Sequence, residues 1–241
     1  MRPGGRVLVI TGAGISAESG LPTYRGVGGL YDGIDTDLGL PIEVALSGPM
    51  FRRRPEVTWR YIAQIESAVR GAKHNRAHDI VAGLEKRFEV VVLTQNVDGF
   101  HRAAGSSRVI DIHGDCHDLS CTRCPWKQTV PDYAALEMPP RCPSCGGVVR
   151  PDVVLFGEML QVEKVERLEA EMSRGFDVCF SIGTTSVFPY IAGPVIETAA
   201  RGGLAVEINP GESEVSAAAS VRLRVGAIAA LSAIADALGP A

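Results

Sequence analysis

Six short apolar, β-branched runs punctuate this chain, and the stretches between several of them carry helical periodicity. The runs are Arg6 to Thr11, Glu89 to Leu93, Arg108 to Ile112, Asp177 to Ile182, Leu204 to Ile208 and Val221 to Val225. Continuous apolar stretches such as Val7 to Ile10 and Val90 to Leu93 are the pattern of strands covered on both faces. Helices are expected at about Pro55 to Val69, Ala77 to Arg87, Val162 to Met172, Ile191 to Arg201 and Ala227 to Leu238; Gly202-Gly203 stops the fourth. Strands alternating with helices predict an α/β fold built on a Rossmann-like parallel sheet. Two regions break the rhythm. Residues 26 to 54 are rich in Gly, Pro and Asp, and residues 116 to 150 hold four cysteines with several prolines and glycines. Both read as insertions into the sheet scaffold.

The chain of 241 residues is long enough for one large domain with a small satellite. A net charge of −4 and a pI near 5.8 give no general field for nucleic acid. The basic cluster Arg52-Arg53-Arg54 reads as a solvated helix approach. No apolar run reaches membrane-spanning length, and the N-terminal stretch is too short and too quickly followed by glycine for a signal peptide. A chain of this size does not need disulfide staples, so its six cysteines fit a reducing, cytoplasmic setting. Cys179, between Val178 and Phe180, reads as a core residue.

Four segments carry chemistry. Gly12-Ala13-Gly14-Ile15-Ser16-Ala17 follows the first strand and matches the G-x-G-x-x-A pattern of phosphate-cradling turns. It also suits a glycine-rich strand-to-helix turn without a ligand. Gly20 and Pro22 come too soon for a long following helix, and no strand ending in an acid follows about 20 residues on. Thr94-Gln95-Asn96-Val97-Asp98-Gly99 lies beyond the second strand, where ligands of open α/β sheets gather. Its polar side chains could orient an amide or a ribose, or simply cap the next helix. His113-Gly114 sits at the exit of the third strand, where an imidazole could abstract a proton near neutrality or be structural. His78 and His101 read as supporting residues. Finally, Cys121-x-x-Cys124 and Cys142-x-x-Cys145 have the spacing of a zinc site. Four thiolates would leave the ion no open position, which makes it structural.

These segments, in this order, resemble the sirtuins, the NAD-dependent protein deacylases. The resemblance rests on Gly12 through Gly26, Thr94 through Gly99, His113-Gly114, the four cysteines, Val154 through Glu158, Gly183 through Ser186 and Glu207 through Pro210. It spans nearly the whole chain. It implies NAD as co-substrate, one structural zinc, and acyl-lysine proteins or peptides as partners, with neither nucleic acid nor membrane. Carried over residue by residue, Gly12, Ala13, Gly14, Ser16 and Glu18 belong to the dinucleotide site. Tyr24 and Arg25 belong to a loop over its nicotinamide end. Gln95, Asn96, Val97 and Asp98 form the ribose and nicotinamide pocket. Gly183, Thr184, Thr185, Asn209, Pro210 and Ala227 hold the adenosine half. His113 is implied as general base, with Asn96 as the second catalytic residue. Val154, Phe156, Gly157 and Glu158 are implied to pair with the substrate peptide as a strand.

The implied reaction releases nicotinamide and yields free lysine and O-acyl-ADP-ribose. Within the family, the Ala17-Glu18 variant is similar to a branch containing bacterial enzymes and the mitochondrial desuccinylase type. That branch is marked by Tyr-x-x-Arg below the acyl pocket. Here the matching residues are Tyr61 and Gln64, and a neutral amide cannot pair a succinyl carboxylate as an arginine does. The neighbouring Arg60 is expected to face away from Tyr61, because one residue turns a helix by about 100°. Acetyl and other uncharged acyl groups are therefore the expected substrates. Tyr24 stands where phenylalanine is usual, and Leu155 where tryptophan is common. The implied organisation is a single catalytic unit over 1–241. Segments 1–25, 75–115 and 151–241 form the NAD-binding domain, and 26–74 and 116–150 form a small domain. Mono-ADP-ribosyl transfer and a zinc-ribbon binding module without catalysis remain the alternatives.

Overall fold

The computed structural model describes residues 4–23 and 38–239, without the side chains of Ala68 and Val69. In chain order the elements are β1 (Arg6–Thr11), α1 (Ile42–Ala45), α2 (Gly48–Arg53), α3 (Pro55–Val69), α4 (Arg76–Leu84), β2 (Glu89–Thr94), α5 (Phe100–Ala103), β3 (Val109–Asp111), β4 (Gly114–Cys121), β5 (Lys127–Thr129), β6 (Val149–Val153), α6 (Val162–Ser173), β7 (Val178–Ile182), α7 (Pro189–Ala200), β8 (Leu204–Ile208), β9 (Val221–Leu223) and α8 (Ala227–Leu238). All six strands expected from the sequence join one sheet in the order β3-β2-β1-β7-β8-β9. Every pairing in it is parallel.

The central strands are apolar throughout because each face needs its own cover. Val7 and Val9 of β1 point into one core with Val90 and Val92, against α4 and α8. Leu8 and Ile10 point into the other, with Val91, Leu93 and Cys179, against residues of α6 and α7. Each such side chain contributes roughly 1.5–3 kcal/mol by leaving water. Cys179 is fully buried in this second core, as its apolar neighbours predicted. Local signals set the helix ends. Asn75 and His78 form a reciprocal cap at the start of α4. Pro189 opens α7 at a position where its missing N–H costs nothing.

A second, three-stranded antiparallel sheet has the order β5-β4-β6. Its strands fall in the cysteine-rich region, which carries no strand signal because β4 is largely polar. It packs with α1, α2 and α3 into a third core around Trp59, Tyr61, Leu119, Tyr133 and Val149. Trp59 anchors this core: it donates Nε1–H to the Val149 carbonyl at 2.7 Å and meets Tyr133 edge-on at 5.4 Å. β6 carries the small sheet through Val153, and the next amide, Val154, donates to the His113 carbonyl at 2.9 Å. Arg52 and Arg53 lie exposed in the last turn of α2, with Arg54 exposed just after it.

Candidate active site

The loops leaving β1, β2, β3, β7 and β8 gather at one edge of the parallel sheet. The first makes two 3₁₀ turns, Ala13–Ile15 and Ala17–Ser19, and no long helix, as Gly20 and Pro22 predicted. Its glycines are required by a neighbouring loop. A Cβ on Gly14 would lie 2.5 Å from the Gly183 Cα, and one on Gly12 would lie 2.7 Å from the Thr184 Cβ. The Gly14 amide donates to the Gly183 carbonyl at 2.9 Å, and Gly183 itself takes φ +58°. Two glycines thus let the turns after β1 and β7 touch backbone to backbone.

The polar side chains after β2 interlock with both turns. Asn96 is buried and donates Nδ2–H to the Gly12 carbonyl at 3.1 Å and toward Ser16 Oγ at 3.3 Å. Its Oδ1 makes no hydrogen bond among the described residues. Gln95 donates Nε2–H to Thr184 Oγ1 at 2.8 Å. Asp98 accepts from Ser16 Oγ at 2.8 Å and from the Phe100 amide at 3.0 Å. Burial pushes the Asp98 carboxyl up, against those two hydrogen bonds, which favour its charge. A largely buried acceptor that makes no salt bridge among the described residues suits a ligand that brings its own N–H donors, such as a carboxamide. The Val97 carbonyl accepts from the Cys116 amide, which ties this loop to β4.

His113 follows β3. Its Nδ1 lies 3.1 Å from the Gln95 carbonyl, which can only accept, so Nδ1 carries the proton. Nε2 is then the basic nitrogen, and the Tyr190 hydroxyl donates to it at 2.8 Å. Tyr190 stacks on Phe188 with centroids 5.3 Å apart, and both rings meet the imidazole nearly edge-on. Burial lowers the His113 pKa, the Gln95 carbonyl opposes this, and Lys164 adds to it. The ring is therefore neutral and fixed in one tautomer, as a general base requires. Phe188 and Tyr190 were not read from the sequence as site residues. The signal was weak: two aromatics flanking Pro189 look like the entry of an amphipathic helix.

Several assigned residues have structural duties. Glu18 is exposed, and its Oε2 accepts from the Ile228 amide at 2.9 Å in the first turn of α8. It caps that helix, beside Gly226 and the buried Ala227. Asn209 donates Nδ2–H to the Thr184 carbonyl at 3.0 Å, Thr185 accepts from the Glu214 amide, and Pro210 is exposed. Glu207, two residues upstream, is buried against Arg222, Ser213 and Ser216, and it holds the loop that follows β8.

In the segment after β6, Phe156 donates to the Leu46 carbonyl and accepts from the Gly48 amide, both at 3.0 Å. Glu158 takes Arg150 bidentately at 2.8 and 2.9 Å and accepts from the Leu155 amide. A strand-like partner would be left the Val154 carbonyl and Gly157, which make no backbone hydrogen bond among the described residues. Tyr61 is buried in the third core, whereas Gln64 is exposed on α3. Arg60 does not face away from Tyr61 as expected. Its guanidinium carbon lies 6.0 Å from the ring centroid, because a long side chain folds back along its helix further than the Cα direction suggests. Tyr24 and Arg25 lie outside the described residues. His78 and His101 are buried behind the loops, and burial lowers their pKa values to about 4 and about 3.

The four cysteines of the zinc motif converge. Cys121 and Cys145 lie 3.5 Å apart at sulfur, as do Cys124 and Cys142, and all four sulfurs fall within 4.8 Å of one another. Sulfurs around tetrahedral zinc stand roughly 3.8 Å apart, so the set suits one zinc ion, with no place for water. Cys142 is buried in the third core, with Cys121 and Cys124 packed against it.

A parallel α/β sheet with glycine turns, amides and a neutral imidazole at its carboxyl edge, propped by a cysteine-held metal module, defines a nucleotide-using class of protein. The chain belongs to the Sir2 family, whose model matches residues 12–189. It is 49% identical to a Pseudomonas aeruginosa protein named NAD-dependent protein deacylase 2, over 92% of this chain and 88% of that one. It is 51% identical to a Pseudomonas syringae pv. tomato protein of the same name, over 93% and 92%. Among solved structures it resembles a Sir2 homologue–NAD complex, with a TM-score of 0.84 and 35% identity over 95% of this chain and 87% of that one. A Sir2 structure with a deacetylated p53 peptide and 3′-O-acetyl ADP-ribose matches with a TM-score of 0.85 and 29% identity, over 98% and 94%.

Proposed function

We propose that this chain is an NAD-dependent protein-lysine deacylase, with acetyl-lysine in proteins or peptides as the favoured substrate. The observation that carries the reading is His113, held with Nδ1–H on the Gln95 carbonyl so that Nε2 is the accepting nitrogen. NAD, when bound, supplies a ribosyl centre and nicotinamide as leaving group. Gly12, Ala13, Gly14 and Ser16 would border its pyrophosphate. Asn96 Oδ1 and the Gln95 amide would accept and orient ribose hydroxyls, and Asp98 would accept from the nicotinamide carboxamide. Gly183, Thr184, Thr185, Asn209, Pro210 and Ala227 would line the adenosine half. His113 Nε2 would take a proton from a sugar hydroxyl once the Tyr190 hydroxyl gives way to it.

Val154 and Gly157 would receive the substrate backbone, while Phe156 and Glu158 hold their segment in place. The domain division follows the same reading: 1–25, 75–115 and 151–241 for NAD, and 26–74 with 116–150 as the small domain. No disulfide joins the six cysteines, and four of them converge as a zinc set, which supports a reducing, cytoplasmic compartment. Among the described residues no helix is long and apolar enough to cross a membrane.

The test is nicotinamide release from NAD with and without an acetyl-lysine peptide. A deacylase releases nicotinamide only when the peptide is present, and deacetylated peptide appears in equal amount. Formation of NADH, or release that ignores the peptide, would overturn the assignment.

A further inference from the structure

Just past His113, β4 carries Asp115, Cys116 and His117 in succession, and its pairing with β6 slips there. Asp115 stands opposite Asp152, and the next paired residue, Leu119, stands opposite Pro151. Residues 116–118 therefore form an extended bulge. In a regular strand Cys116 would point to the face opposite Asp115 and His117. The bulge cancels that alternation. Cys116 Sγ lies 3.5 Å from His117 Nδ1, Asp115 Oδ1 lies 2.9 Å from the same nitrogen, and all three donor atoms fall within 4.8 Å of one another.

The backbone around them is already fixed. The His117 amide donates to Asp115 Oδ1 at 2.9 Å, the Cys116 amide to the Val97 carbonyl at 2.9 Å, and the Val130 amide to the His117 carbonyl at 2.9 Å. The Tyr133 hydroxyl donates to the Cys116 carbonyl. Around tetrahedral zinc, sulfur and nitrogen ligands stand roughly 3.6 Å apart, and nitrogen and oxygen ligands roughly 3.4 Å apart. The sulfur–nitrogen edge is already near that length, and the nitrogen–oxygen edge needs to open by a few tenths of an ångström. Asp115 and His117 also border a cavity of about 330 Å³ that His74, Asp98 and Phe100 help to line. All three donor residues are half-buried, so the cluster keeps an approach from solvent.

We propose that Asp115, Cys116 and His117 form a second metal site, separate from the four-cysteine site, for one divalent ion of the zinc and cobalt type. Mixed sulfur, nitrogen and oxygen donors select such ions over magnesium or calcium. Three protein ligands leave the fourth position open toward the cavity, whereas the four-thiolate site is closed. Binding displaces the protons of the thiol and the imidazole into solvent, and no electron transfer is involved.

The experiment is a zinc titration of the full chain, first brought to one zinc per chain, in competition with a chromophoric chelator at neutral pH. The expected result is a second equivalent in the wild type. Cys116→Ser and His117→Gln should each weaken that equivalent at least tenfold and keep the first, with unchanged far-ultraviolet circular dichroism. Saturation of the wild type at one equivalent overturns the proposal. So does an undiminished second equivalent in either folded variant. If a variant does not fold, the wild-type stoichiometry is read with cobalt instead: a second equivalent with thiolate-to-cobalt absorption supports the site, and a second equivalent without it counts against it.

Discussion

The Tyr190 hydroxyl donates to the basic nitrogen of His113 at 2.8 Å, while the Gln95 carbonyl holds the proton on the other nitrogen. A donor to the neutral ring favours the neutral form and so depresses the pKa, in the same direction as burial. A base is active above its pKa, so activity should persist at lower pH than a free imidazole allows. Tyr190→Phe removes the donor and raises the pKa. The acidic limb of the kcat/KM profile for deacylation should move to higher pH. A limb that stays in place, or moves to lower pH, contradicts this account of the pair.

Asp98 exposes a trade between stability and activity. Its folded pKa is raised by burial, so at pH between the unfolded and folded values the folded state holds a proton that the unfolded chain has released. Sign follows from linkage: stability from this group falls as pH rises through the window between the two values, and the cost is complete above the folded pKa. Asp98→Asn should therefore raise Tm at neutral pH. It should also cut nicotinamide release by on the order of 10²-fold, since the acceptor for the carboxamide becomes a weaker one. Thermal unfolding and a release assay on the same preparation check both halves.

Two glycines should respond in opposite ways. Gly14→Ala drives a methyl group into the Gly183 backbone and should destabilise by about 1–3 kcal/mol, lowering the urea midpoint without changing the slope. Gly83, inside α4, has nothing within 4 Å of where a Cβ would stand. Gly83→Ala should stabilise by roughly 0.5–1 kcal/mol. Equal shifts in the two variants would refute the contact argument.

Loss of the structural zinc should be visible without any assay of catalysis. Both tryptophans, Trp59 and Trp126, belong to the third core beside the cysteines. Stripping the metal with a strong chelator should shift tryptophan emission to longer wavelength and leave most helical circular dichroism intact. Unchanged emission from metal-free protein would show that the thiols hold this core unaided.

Gln64 offers only neutral hydrogen bonds, so acetyl and propionyl peptides should be turned over at least tenfold faster than succinyl peptide. Arg60 is the residue to watch, because its guanidinium reaches the Tyr61 ring. Succinyl turnover that exceeds acetyl turnover, and that falls in Arg60→Ala, would reverse the assignment.

The large sheet was legible because its central strands β1, β2 and β7 are buried on both faces and so read as apolar runs. Arg6–Thr11 and Leu204–Ile208 fall where the runs predict them, as does the helix Ala227–Leu238. The small sheet was not legible, because β4 reads Gly-Asp-Cys-His-Asp-Leu-Ser-Cys and buries few residues to mark a period. His113 and the loop after β2 stood out by position at strand ends. Tyr190 did not, since its role depends on a contact 77 residues away in sequence. Nor did the cap that Glu18 places on a helix 210 residues further on stand out in the sequence.

The Val154 amide hangs on the His113 carbonyl, and Val154 directly continues the outer strand of the small sheet. The His113 backbone is thus tethered to the wall expected to carry the peptide, and its imidazole to the loop expected to carry the sugar. A tilt of that wall would therefore reach, through one backbone hydrogen bond, the residue that carries the accepting nitrogen.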